Sequence, residues 1–323
     1  MNAINGTVCE MCSIGATVTH MTEAIETSTS DATEGKPAPD EHYARPEIIG
    51  APLGPGSLTW KYFGDHRVSL LGPRPGVLEN MLPELGQAVL EHSVFFDDPF
   101  ARVKRSLPGI YGTVYAPDGD SAGPTVRDFH TDIKGTMPGG DRYHALNPET
   151  YYWAHATFLD IVLTATDRFI KKLTDVEKEQ IYAESVTWYR RYGVSDRPMP
   201  ANYAEFVKYW DHMVDEVLIP HKTARYGVGY VAKGYPLPPG MKPIVWKLIS
   251  PIVNPVAAFI TTGGLPARSR EQLGLPWSDR KQRNYERFCA AVRALDPIYR
   301  RLPATTRYNK YALKGFAKAG VRL

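Results

Sequence analysis

Asn147-Pro-Glu-Thr-Tyr-Tyr-Trp153-Ala-His155-Ala-Thr-Phe158-Leu159-Asp-Ile-Val-Leu-Thr-Ala-Thr-Asp-Arg-Phe-Ile170 is the stretch on which the fold turns. Asn147 can cap a helix, and Pro148 can take its first position, where the missing N–H costs nothing. From Tyr151 onward the run is mostly apolar, with Asp160 and Asp167 its only acids before Arg168. A helix apolar around so much of its circumference belongs inside a protein. His155 is therefore expected in an apolar wall, with Tyr151, Tyr152, Phe158, Leu159 and Val162 as neighbours on its face.

Working outward, the same helical period recurs along the chain, and alternating strand-like stretches are few. Helices are expected over 75–90, 99–115, 125–134, 148–173, 175–192, 202–218, 242–262 and 278–295. Thr174-Asp-Val-Glu177 reads as a capping box, and Tyr192-Gly193 as a glycine stop. A chain of 323 residues with 43% hydrophobic content can bury a substantial core. The expected fold is all-α: a single globular helical domain over 43–323, preceded by an N-terminal extension over 1–42.

A second histidine lies in Arg127-Asp-Phe-His130-Thr131-Asp-Ile-Lys134-Gly135, after the turn-forming run from Gly119 to Pro124. Thr125 with Asp128 suggests a cap, and Gly135 a stop. On one helix Arg127, His130, Thr131 and Lys134 would form a stripe at i, i+3, i+4 and i+7. Spacing alone leaves that stripe open between a functional face and a solvated basic one. It likewise leaves His155 open between a packed core residue and an axial ligand of haem iron, a role that suits a neutral imidazole in an apolar wall.

Further motifs carry a family resemblance. In order they are Trp60-Lys-Tyr-Phe-Gly64, Leu70-Leu-Gly72, His92-Ser93, Asp98-Pro-Phe-Ala-Arg102, Arg127-x-x-His130-x-x-Ile133-x-Gly135 and Tyr143-x-Ala145-x-x-Pro148-Glu149-x-x-x-Trp153-x-His155-Ala-Thr157. The pattern continues through Glu184, Tyr192-Gly-Val194, Pro198, Pro200, Tyr209 and Leu265-Pro-x-Arg268 to Leu273-Gly-Leu-x-Trp277. From about Arg45 onward the chain resembles the family that groups latex-clearing protein, the rubber oxygenase, with the fungal oxygenase of mycophenolic acid biosynthesis.

The resemblance implies a haem b between core helices, with His155 as the proximal iron ligand. It implies a distal side carrying Arg127, His130 and Thr131 as catalytic residues, with His130 standing where the rubber oxygenase has lysine and offering a second metal ligand. Trp153, Phe158 and Leu159 would line the haem, and Lys134 would lie near a propionate or solvent. The acid that the rubber oxygenase uses as a base would fall near Tyr111, Gly112 or Thr113, where no carboxylate stands. Polyisoprene cleavage is therefore not expected to carry over.

Residues 1–42 are rich in Thr, Ser, Ala and Glu, with no sustained apolar period, and are expected to be disordered. Cys9-Glu-Met-Cys12 has only Cys289 beyond it, too few cysteines for a zinc site. The odd count of three and the absence of a signal-peptide pattern suggest a cytoplasmic protein.

Basic residues dominate 242–322, among them Arg280, Lys281, Arg283, Arg287, Arg300 and Arg301. A solvated surface is the first reading, and peripheral membrane contact the second, because residues 243–260 are apolar yet interrupted by Lys247, Asn254, Pro251 and Pro255. Nucleic acid is not expected, since no binding module accompanies the charge and the net charge is only +3.

The leading functional expectation is a haem b-dependent oxygenase that uses dioxygen or peroxide on a hydrophobic, isoprenoid or lipid-like molecule, with Arg127 and His130 stabilising charge on the activated oxygen. The alternative is a non-enzymatic bis-histidine haem protein for electron transfer, sensing or haem storage. A haem-free helical binding protein stands third.

Overall fold

Helices account for nearly all regular structure in the computed structural model, which describes residues 47–323 apart from 94–95, 97–98, 117–120, 236 and 239. The expected N-terminal extension and Cys9-x-x-Cys12 lie outside the described residues. In chain order the helices are α1 (Leu58–Phe63), α2 (Pro73–Met81), α3 (Pro83–His92), α4 (Pro99–Tyr115), α5 (Ala122–Asp128), α6 (Pro148–Ala165), α7 (Asp175–Arg190), α8 (Tyr203–His212), α9 (Lys222–Lys233), α10 (Pro243–Gly264), α11 (Ala267–Gln272), α12 (Asp279–Ala294), α13 (Asp296–Tyr299), α14 (Ala304–Arg307) and α15 (Lys310–Lys318). One small antiparallel hairpin, β1 (Lys134–Thr136) with β2 (Arg142–His144), interrupts them between α5 and α6.

Helix α6 is the axis of the core. The Asn147 side chain accepts from the Glu149 N–H at its start, and Trp153, Ala156, Val162 and Ala165 are fully enclosed. After Ala165 the chain takes one wider π-turn, Thr166–Ile170, before leaving the helix. The Thr174–Glu177 capping box is present at the head of α7. Asp160 is buried on α6 and paired with Arg74 of α2 (2.5 Å), whose guanidinium also reaches the Gly264 carbonyl at the end of α10. Glu184 of α7 caps the start of α1, accepting from the Leu58 and Thr59 backbone N–H groups at 2.9 and 2.7 Å. These buried ionic contacts join α1, α2, α6, α7 and α10 at positions where a lone charge would be costly.

Two expectations are corrected. The helix read over 75–90 is two helices, because Pro83 bars Leu82 from helical backbone angles (ψ 125°). The helix read over 125–134 ends at Asp128, and Thr125 lies inside it rather than at its cap. Beyond Asp128 the chain turns through His130 N–H to Arg127 O (2.8 Å) and Ile133 N–H to His130 O (3.2 Å). Lys134 then pairs in the hairpin opposite His144, beside the buried Tyr143. A pairing with residues ten positions further on overrides the local helical period. The single stripe of Arg127, His130, Thr131 and Lys134 does not exist.

Candidate functional site: a cavity between α3, α4, α5 and α6

A cavity of about 1050 Å³ lies among α2–α6 and the turn after α5. That is the top of the range usual for small-molecule and cofactor pockets, about 300–1,000 Å³. Leu85 and Val89 of α3, Pro108 and Ile110 of α4, Val126 of α5 and Phe158 of α6 give it an apolar wall. Among its polar groups are Glu79, His92, Arg102, Arg105, His130, Tyr151 and His155.

His155 faces this cavity from the middle of α6 and is 3% exposed. Its ring is boxed by Trp188 at 5.0 Å, Tyr189 at 5.1 Å and Tyr192 at 6.1 Å, all supplied by α7 and the residues after it. Neither Nδ1 nor Nε2 has a hydrogen-bond partner in good geometry, although the Ser185 backbone lies near enough to act on the ring. Burial pulls its pKa down to about 3, with the Ser185 backbone as the one opposing influence. The imidazole is thus neutral at ordinary pH and holds an unused lone pair. A buried polar group without a partner costs about 1–3 kcal/mol, so this one calls for a ligand.

His130 lines the same cavity from the turn after α5. Its Nδ1 lies 2.8 Å from the Val126 carbonyl. A carbonyl only accepts, so Nδ1 carries the proton in the neutral ring and Nε2 keeps its lone pair. Burial lowers the pKa, the Val126 bond opposes this, and the Arg102 charge reinforces it. Tyr151, at 5.8 Å from the His130 ring and 5.4 Å from Tyr192, completes an aromatic path from one histidine to the other. The Tyr151 hydroxyl also lacks a partner.

The other expected site residues fall elsewhere. Phe158 lines the cavity, but Trp153 and Leu159 do not. Trp153 donates to the Leu78 carbonyl (3.2 Å) and packs on Trp210, in the core behind α6. Arg127 is outside the lining and pairs with its neighbour Asp128 at 2.8 Å. Thr131 and Lys134 are exposed and also outside it. The structure therefore brings together His130, His155 and Phe158, and disperses Arg127, Thr131, Lys134, Trp153 and Leu159.

The segment Tyr111–Thr113 contributes no base. Tyr111 stacks on Tyr311 at 5.2 Å, and burial pushes its hydroxyl up to about 12. Thr113 accepts from Trp188 Nε1 at 2.8 Å, and so holds the indole that borders His155. A carboxylate does enter the cavity, but from α2. Glu79 lines it, accepts from the Thr157 hydroxyl at 3.1 Å, and feels the Arg102 charge. Burial raises the Glu79 pKa and lowers that of Arg102. Glu79 sits between Leu78 and Asn80 with no motif to distinguish it, whereas Arg102 stands in the Asp-Pro-Phe-Ala-Arg element.

Among the described residues no cluster of three or more His, Cys, Asp or Glu is placed to hold a bare metal ion. Haem brings its own four nitrogen donors and asks the protein for one or two axial ligands and an apolar slot. The orphaned His155 ring, the free Nε2 of His130 and the apolar lining fit that request.

No curated protein and no solved structure matches the chain. The family model described as "ER-bound oxygenase mpaB/B'/Rubber oxygenase, catalytic domain" matches residues 60–294, more than half of the chain and all of the cavity lining. The chain belongs to this family of oxygenases.

Proposed function

We propose that this oxygenase works with a haem b held between the walls that carry His155 and His130, and that it acts on a hydrophobic small molecule of isoprenoid or lipid-like character. The observation that carries the reading is the neutral, unbonded His155 imidazole facing a large apolar cavity. When bound, the haem supplies an iron centre at which dioxygen or peroxide is activated. His155 would hold the haem iron, its ring kept in orientation by the edge of Trp188. His130, with its tautomer fixed by Val126, would offer its Nε2 lone pair as a second ligand. Arg102 and Arg105 bring positive charge suited to the haem carboxylates.

Leu85, Val89, Ile110, Val126 and Phe129 leave an apolar surface for the substrate. Glu79 is the one carboxyl among the lining residues, and its raised pKa suits it to accept or return a proton in the cavity. A distal Nε2 with no other partner also supports the second reading, a bis-histidine haem centre for electron transfer, sensing or storage. Incubation of the reconstituted protein with oxygen, a reductant and short isoprenoids, followed by mass spectrometry, tests the choice. Oxygenated products support the oxygenase chemistry. Reduction and reoxidation with no product from any hydrophobic substrate supports the alternative.

A further inference from the structure

We infer that the exposed face of α10 is a docking surface for an anionic phospholipid bilayer, lying in the interface rather than crossing it. Helix α10 is the one described helix long and apolar enough to suggest a membrane, yet only 11% of its most apolar window is buried within the protein. Ile244, Leu248 and Ile252, at successive i+4 positions, are 63%, 71% and 70% exposed, and Val245, Val253 and Val256 widen the stripe. In water this is a large unpaid apolar surface for a protein to display.

One polar side chain of α10 is tied back to the protein. Asn254 Oδ1 accepts from the Tyr235 backbone N–H at 3.1 Å. Lys247 is the only charged residue between Pro243 and Gly264, and Lys242 stands at the helix start. Charge complementarity names the partner. From Val217 to Arg270 there is no Asp or Glu, while Lys222, Arg225, Lys233, Lys242, Lys247, Arg268 and Arg270 are all basic. An exposed apolar stripe flanked by the exposed Lys242 and Lys247, with no acid in the helix, suits lipid tails beneath anionic headgroups.

The anchoring of α10 sets the mode. Its far end is fixed in the protein, where the Gly263 carbonyl accepts from Arg168 at 3.1 Å. A β-carbon on Gly264 would meet Leu71 at 2.4 Å, so the end packs too closely to withdraw. Helix α9 also packs along α10. A spanning helix needs about 20 residues surrounded by lipid, and α10 does not have them free. It has one face to give. The inference stands apart from the haem reading, because no residue of α10 lines the cavity.

Sedimentation of the full chain with phosphatidylcholine vesicles, with and without phosphatidylserine, tests the surface. Binding to the anionic vesicles is expected, weakening with salt. Lys242→Gln and Lys247→Gln should each lower the partition about fivefold. Leu248→Glu with Ile252→Glu should abolish it without altering the helical circular dichroism, while Val176→Glu, at an exposed site on α7, should leave it unchanged. No binding to anionic vesicles, or full binding by the double glutamate variant, would overturn the inference. So would light scattering that showed a dimer dissolved by the same two substitutions, since the face would then serve a second copy.

Discussion

His130 and His155 face one cavity but spend their nitrogens differently: Nδ1 of His130 is tied to the Val126 carbonyl at 2.8 Å, whereas neither nitrogen of His155 has a hydrogen-bond partner in good geometry. The first ring is oriented by its own segment. The second is bounded by aromatic rings, with the Ser185 backbone as its one polar influence.

His155→Leu should therefore leave the haem-free protein as stable as before, or more stable by about 1–3 kcal/mol, because it removes unsatisfied polar atoms from an apolar wall. The pH dependence carries the same signature. The folded ring titrates near 3 and the unfolded one near 6.5, so stability is full above about pH 6.5 and falls as the pH drops toward 3, at about 1.4 kcal/mol per pH unit. Glu79, with its raised pKa, acts in the opposite sense, losing stability as pH rises above its unfolded value. The difference between wild type and His155→Leu in urea unfolding at several pH values isolates the histidine. Equal slopes in the two proteins would show that the ring is not buried uncharged.

Gly123→Ala should be far more damaging than its size suggests. A β-carbon there would sit 1.8 Å from the Arg191 carbonyl, where backbone meets backbone and no side chain can move aside. Helix α5 would be pushed off the end of α7, taking Thr125, Val126 and His130 with it. A loss of more than about 4 kcal/mol is expected in denaturant unfolding. A variant within about 0.5 kcal/mol of wild type would show that α5 does not rest on Arg191.

Much of this arrangement was legible in the sequence, and the failures have a common cause. The Asn147-Pro148 start, the apolar run through α6 and the Thr174–Glu177 box are local signals, and α6 and α7 follow from them. His155 was legible because its own helix defines its surroundings. The surroundings of His130 were not, since residues 134–136 pair with residues 142–144 and the helical stripe that would have aligned Arg127 with Lys134 gives way to a hairpin. Glu79 and Arg102 come within electrostatic reach of each other only through the packing of α2 and α4 around the cavity, which no spacing along the chain reveals.

Glu79 and Arg102 should prove coupled. Each raises the tendency of the other to carry charge, inside a cavity that disfavours both charges. Glu79→Gln and Arg102→Met should each destabilise the protein, and the double variant should cost less than the sum of the two, with a coupling energy of about 1–3 kcal/mol. Strict additivity in the unfolding cycle would mean that the two do not interact.

His130→Ala should leave oxygen binding to the reduced, haem-loaded protein unchanged, because the neutral ring carries its proton on Nδ1, tied to Val126, and its Nε2 has none to donate to bound oxygen. Carbon monoxide should likewise bind wild type and variant alike. Stopped-flow ligand binding reads both quantities. Carbon monoxide binding only after His130 is removed would make this histidine an iron ligand and favour the electron-transfer reading.

The pyridine haemochrome spectrum of the purified full chain, beside that of His155→Ala, tests the central claim most directly. The account predicts one haem b per wild-type chain with a Soret band, and loss of most of that haem from a variant that keeps its helical circular dichroism. A His155→Ala protein that retained full haem with an unchanged spectrum would contradict it.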